Sequence, residues 1–181
     1  MIGNDVVDLN LAAAESDWRR SGFLQKIFSD VEIGWIEMSR NPEFSVWNLW
    51  SRKEAAYKIF NRKTGIRTFN PLFFECIDRE PNSRIRFGSD FVFCRTELSD
   101  GIIHTVASEK KDNFSRIFPV EYRQLSKIDG LPFFEQAGHK FIATASHHGK
   151  SVQCLALIDD GLDVDFSLQN SMNGTFLGNF E

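Results

Sequence analysis

Hydrophobic and polar positions along this chain change their spacing several times, and each change marks an element. Residues 2–9, Ile2-Gly3-Asn4-Asp5-Val6-Val7-Asp8-Leu9, are a short apolar run interrupted by two carboxylates, which predicts a strand or strand end. From Leu9 to Phe28 the apolar positions Leu11, Ala12, Trp18, Phe23, Leu24, Ile27 and Phe28 predict helix, broken into two pieces at Ser21-Gly22. Ser29 followed three residues later by Glu32 is a capping box, and opens a helix through Met38.

The longest pattern follows. Asn41 is a cap, Pro42 suits a first helical position, Glu43 complements the dipole, and no glycine or further proline intervenes before Gly65. The spacing predicts a helix of about five turns. At about 100° per residue, Val46, Leu49, Trp50, Ala56, Tyr57 and Phe60 share a broad apolar arc, while Ser51, Glu54 and Lys58 share a polar one, with Trp47 beside them. Glu54 and Lys58 stand four apart, a spacing that supports an ion pair. Lys53 is anomalous. It falls near the middle of the apolar arc, where a lysine must reach out to water or meet a fixed negative partner.

Beyond Gly65 the period shortens to two. Residues 73–77, 84–87, 91–95 and 102–107 predict strands of an antiparallel meander, separated by Pro81-Asn82-Ser83, Gly88-Ser89-Asp90 and Ser99-Asp100-Gly101. His104 lies within the last of them and reads as a half-buried sheet residue. Residues 108–140 are polar and mixed, and predict a helix or irregular crossover around 119–127. Residues 141–146 and 152–158 predict a second hairpin, turning through Ser146-His147-His148-Gly149-Lys150. Helices and strands are thus segregated, as in an α+β fold: short antiparallel sheets on a long buried helix. The expected organisation is one domain over 1–160, a strand-rich insertion at about 80–107, and an irregular tail at 161–181.

Composition narrows the function classes. Of 181 residues, 42% are apolar and 18 are phenylalanine, enough for a dense aromatic core. A formal charge of −4 argues against a general nucleic-acid binder. The start lacks the charged region and long apolar core of a signal peptide, and no apolar run approaches a membrane span, so a cytoplasmic protein off the membrane is expected. Cys76, Cys94 and Cys154 have no metal-ligand spacing and read as reduced core thiols.

The candidate chemistry lies at three places. Asp5 and Asp8 admit two readings each, as ligands or as a strand terminator and a helix cap. In the long helix, Glu54 could hold a cation while Lys53 and Lys58 meet an anion such as phosphate. At the second hairpin Ser146, His147, His148 and Lys150 make either an anion site or a crowded polar turn.

Taken in order, Gly3-Asn4-Asp5, then Trp50-Ser51-Arg52-Lys53-Glu54-Ala55-Ala56-Tyr57-Lys58, then Thr144-Ala145-Ser146-His147 resemble the 4′-phosphopantetheinyl transferase superfamily. Its signature is a strand-end Gly-x-Asp, a Trp-x-x-Lys-Glu-Ala-x-x-Lys helix and a Ser-x-Ser-His turn. Residues 27–32 and 64–66 add to the likeness, and the motif order is similar to the compact holo-acyl-carrier-protein synthase branch. The resemblance implies a Mg²⁺-dependent enzyme. It would move 4′-phosphopantetheine from coenzyme A to a serine of an apo acyl or peptidyl carrier protein, releasing adenosine 3′,5′-bisphosphate. It implies Asp5 and Glu54 as metal ligands, Glu54 and Lys58 as catalytic residues, and Lys53, Lys58, Ser146 and His147 as coenzyme A contacts. Lys53 pairing internally stays open, and His148 receives no role. Arg19, Arg20 and Lys26 would meet an acidic carrier, and the branch suggests a homotrimer. The rival expectation is a non-catalytic homologue that binds a nucleotide-like ligand or a protein. Thr144 departs from the signature Ser but keeps a hydroxyl, and Val7 stands where the two-module branch has a Glu.

Overall fold

The computed structural model describes residues 1–80 and 82–159; the expected tail at 161–181 lies outside the described residues. Strand β1 (Ile2–Asp8) runs directly into helix α1 (Leu9–Glu15), and Asp8 makes the change of direction. Its carboxylate accepts the Asn10 and Leu11 amides at 3.0 and 3.2 Å, satisfying N–H groups that have no partner inside the helix. Helix α2 (Phe23–Ile27) follows, then α3 (Asp30–Glu37) with both arms of its capping box formed between Ser29 and Glu32. Helix α4 (Pro42–Thr64) has the predicted bounds. The Asn41 side chain accepts the Phe44 amide, and Gly65 ends the helix at φ +74°.

Strands β2 (Glu75–Cys76), β3 (Asn82–Phe87), β4 (Asp90–Ser99) and β5 (Ile102–Ser108) join β1 in an antiparallel sheet of order β1-β5-β4-β3-β2. The strand-rich stretch at about 80–107 belongs to this sheet. It supplies β5, which pairs with β1 over its whole length, from Ile2 opposite Ser108 to Asp8 opposite Ile102. The strand expected at 73–77 is also shorter, because a 3₁₀ turn at Pro71–Phe73 replaces its start. There the carbonyls of Pro71 and Phe74 accept the Lys53 ammonium, at 3.1 and 2.6 Å, and are not free for a ladder.

The second sheet contains β6 (Ile117–Pro119), β7 (Leu125–Ile128), β8 (Leu131–Gln136), β9 (His139–His148) and β10 (Ser151–Leu157), in the order β6-β10-β9-β8-β7. The expected helix or irregular crossover around 119–127 is irregular with a 3₁₀ turn up to Gln124, and strand from Leu125. A 3₁₀ turn at Tyr122–Gln124 leads into a β7–β8 hairpin closed by Asp129-Gly130, both at positive φ. Asp-Gly is a strong two-residue hairpin signal, and it was present in the sequence. The predicted β9–β10 hairpin forms, with its turn narrowed to Gly149-Lys150 and the two histidines inside β9.

Helix α4 packs on the first sheet through Val46, Leu49, Ala55, Ala56 and Ile59, which meet a core including Ile85, Val92, Ile103 and Ala107. The second sheet has its own cluster around Phe118, Phe134 and Phe141. Ile2 of β1 joins Leu155 and Leu157 of β10 in a third, so β1 is where the two sheets meet. All three cysteines are buried and unbridged. Among the described residues no helix is long and apolar enough to cross a membrane.

Candidate functional site

Gly3 sets the site's geometry. A Cβ there would lie 2.2 Å from the Ala55 carbonyl oxygen and 3.1 Å from Lys58 Cβ, so only glycine lets β1 lie directly on α4. Two residues on, Asp5 faces the polar arc of the same helix. Strand and helix thereby bring Asp5, Ser51, Glu54 and Lys58 into one corner, which β9 closes with Ser146.

The corner is electrostatically tense. Burial pushes the Asp5 carboxyl above its ordinary value, against the opposing effects of Lys58 and the Ser146 hydroxyl, which donates to Asp5 Oδ1 at 3.0 Å. Burial, then the neighbouring Asp5 charge, raises Glu54 to about 7, while Lys58 pulls it down. Burial holds Lys58 below its ordinary range, with Asp5 and Glu54 opposing. The expected Glu54–Lys58 ion pair is replaced: the ammonium donates to the carbonyls of Asn4 on β1 and Ala145 on β9, stapling the strands together. Among the described residues Ser51 Oγ is buried without a hydrogen-bond partner, and it lies close enough to Asp5 to favour its ionised form.

Two repelling carboxylates and an orphaned hydroxyl fit a hard cation. Among the described residues no cluster of three or more His, Cys, Asp or Glu forms. A cation at the corner would therefore complete its shell with water and phosphate oxygens, as magnesium commonly does.

Beside the corner, a cleft of about 1120 Å³ opens between the C-terminal half of α4 and the second sheet. Lys58 and Ser146 line it, and so does His147, exposed; Asp5 and Glu54 do not. Arg62 and Lys127 also line it, and sequence reasoning missed both. Arg62 stands one turn beyond Lys58, a signal that was legible, and it clamps the carbonyls of Pro132 and Ala143 at 2.8 Å each. Lys127 lies in the hairpin that was read as irregular.

Lys53 is not part of this site. Its side chain is 1% exposed and paired at 2.8 Å with Glu32, itself 0% exposed, and the two carbonyls above fill its remaining donor positions. The expected phosphate contact gives way to the internal pair, because the apolar arc that holds Lys53 faces the core. His148 is half-buried; its Nδ1 accepts the Asp8 amide at 2.9 Å. His104 is also half-buried. Burial, and then Lys58, lowers it to about 4, which leaves a neutral ring near Asn4.

A family model described as the 4′-phosphopantetheinyl transferase superfamily matches residues 1–115, a span that contains Asp5, Glu54 and Lys58. Among solved structures, the chain is similar to an apo-ACPS from Chronobacterium ammoiniagenes, at 15% identity and TM-score 0.48, over 59% of this chain and 93% of that one. It is also similar to Thermotoga maritima holo-[acyl-carrier-protein] synthase, at 12% identity and TM-score 0.46, over 66% and 76%. For a holo-ACP-synthase from Plasmodium yoelii the values are 15% and 0.43, over 59% and 90%. No curated protein matches.

Proposed function

Because the chain belongs to the 4′-phosphopantetheinyl transferase superfamily, we propose that it moves 4′-phosphopantetheine from coenzyme A to a serine of an apo acyl or peptidyl carrier protein. Adenosine 3′,5′-bisphosphate is the co-product. The observation that carries this reading is the corner where Asp5, Glu54 and Lys58 meet beside a cleft lined by further cations.

The pyrophosphate of coenzyme A repels a nucleophile, so catalysis is mainly positioning and charge neutralisation. Asp5 and Glu54 are the residues to hold magnesium, which when bound supplies positive charge at the pyrophosphate. Lys58 spends two N–H donors on Asn4 and Ala145 and keeps a third for a phosphate oxygen. Arg62, Lys127 and His147 give the cleft the cationic lining that a phosphorylated nucleotide needs, with His147 contacting coenzyme A. The carrier serine oxygen bonds to the β-phosphorus as the bond to the bridging oxygen breaks, and adenosine bisphosphate leaves with that oxygen. Glu54 is placed to accept the serine proton, directly or through a water.

Carrier docking falls to the exposed Arg19, Arg20 and Lys26, since carrier proteins are acidic. Arg19 stacks on Trp18 and pairs with Glu43 at 3.1 Å. Charge reversal at the three positions is expected to raise the carrier KM at least tenfold with the coenzyme A KM unchanged, and an unchanged carrier KM removes this docking face.

The deciding assay is intact mass of apo carriers incubated with coenzyme A, Mg²⁺ and this protein, beside an Asp5→Ala/Glu54→Ala variant. A phosphopantetheine-sized gain, lost with EDTA and in the variant, is expected. Coenzyme A binding without transfer to any carrier would favour the non-catalytic homologue instead.

A further inference from the structure

Among the described residues strand β1 has a strand partner on one side only. Antiparallel pairing with β5 uses alternate backbone groups, and leaves the amides of Asn4, Val6 and Asp8 pointing the other way. No strand of the second sheet pairs with that edge. Instead three alternate side chains of β9 reach across. Thr144 Oγ1 accepts the Asn4 amide at 3.2 Å, Ser146 Oγ accepts the Val6 amide at 3.2 Å, and His148 Nδ1 accepts the Asp8 amide at 2.9 Å. The side chains at 144, 146 and 148 stand on one face of β9 because strand side chains repeat every second residue. Their spacing therefore matches the spacing of the amides they receive.

Two of these contacts continue toward the acidic corner. Thr144 donates its own proton to Asn4 Oδ1 at 2.8 Å, and Ser146 donates to Asp5 Oδ1 at 3.0 Å. The Ser146 hydroxyl is thus fixed at both ends. It accepts from the backbone immediately after Asp5 and donates to the Asp5 carboxylate itself. Lys58 adds the reverse tie, from α4 to the Asn4 carbonyl and the Ala145 carbonyl.

We propose that β9 acts as a side-chain strand for β1, and that Ser146 is the positioning residue that aims Asp5 for its cation. This rests on the transfer function above for its consequence in rate, though not for its geometry. The resemblance gave Ser146 to coenzyme A; Ser146 does line the cleft, as His147 does, but its hydroxyl is engaged by the Val6 amide and the Asp5 carboxylate and so acts through Asp5.

The test compares Ser146→Ala, Ser146→Thr and the wild-type chain by three measurements. Amide hydrogen exchange reads the latch without any substrate: Val6 exchange is expected to quicken at least tenfold in Ser146→Ala and to return toward wild type in Ser146→Thr. Mn²⁺ titration of the protein alone reads the aim of Asp5, with affinity expected to fall at least fivefold in Ser146→Ala and to recover in Ser146→Thr. In the transfer assay kcat should fall at least tenfold with the coenzyme A KM within twofold of wild type. Unchanged Val6 exchange overturns the latch. A raised coenzyme A KM with kcat and Mn²⁺ affinity unchanged overturns the positioning role and makes Ser146 a substrate contact. Should Ser146→Ala fail to fold, Ser146→Thr decides, because a retained hydroxyl that restores neither Val6 protection nor Mn²⁺ affinity refutes the proposal. If the wild-type chain transfers nothing, exchange and Mn²⁺ binding still judge the latch, and only the transfer function has failed.

Discussion

At Glu54 a carboxyl with an ordinary value of 4.5 is raised to about 7, by burial first and by Asp5 second, so the folded chain holds a proton there that the unfolded chain releases. The sign follows directly. Between about 4.5 and 7 the native state binds more protons than the unfolded state, so this group's contribution to stability declines as pH rises. The loss is complete above about 7, and amounts to about 3 kcal/mol. Glu54→Gln removes the ionisation. In EDTA its denaturation midpoint should exceed that of wild type at pH 8 and approach it at pH 4.5, while transfer activity is lost. A variant no more stable than wild type at pH 8 would show that the carboxylate is not strained. The same residue thus connects the charge proposed for the reaction to a local cost in folding.

Lys53 and Glu32 tie elements together in a different way, across α4, α3 and the 3₁₀ turn before β2. Glu32 serves three groups at once: the Ser29 amide, the Lys53 ammonium and the Cys76 amide, each at 2.8 Å. Removing one partner of such a pair leaves a buried charge, so Lys53→Met should lower unfolding free energy by about 3–5 kcal/mol, measured by urea titration. A change below about 1 kcal/mol would show that Glu32 is satisfied by its amides alone. This pair also marks where the sequence was legible and where it stopped. Capping residues announced α3 and α4 because a cap is a local signal, and the capping box named Glu32 without its second task. The lysine's place in the apolar arc announced that it needed a partner. Which partner depended on how α3 crosses α4, a tertiary fact without local signature. The β7–β8 hairpin was lost for the opposite reason: its Asp129-Gly130 turn was a clear local signal, but its strands are short and half-exposed and lack strong alternation. The acidic corner was assembled from motif order, whereas Arg62 and Lys127 required the cleft to be seen.

For the molecule as a whole, Asp5, Glu54, Lys58 and Ser146 all come from one chain, and so do both walls of the adjoining cleft. A subunit that keeps its fold on dissociation therefore keeps these four side chains together. Specific activity should stay constant on dilution through any range in which light scattering records a change in mass; activity falling in step with mass would assign part of the site to a neighbouring subunit. The latch has one more consequence, which concerns time. The amide of Val6 and the hydroxyl that receives it are separated by 140 positions in the chain. At roughly 5–20 residues per second, a ribosome leaves that interval open for on the order of ten seconds. Throughout it, the outer edge of β1 has no hydroxyl or imidazole to close it, and an uncovered edge is a template for pairing with another chain. Asp5 and Asp8 stand on that strand, and charge on an exposed strand is the ordinary deterrent to such pairing. Before Asp5 meets its folded partners, the pair would already guard the unfinished protein against its neighbours.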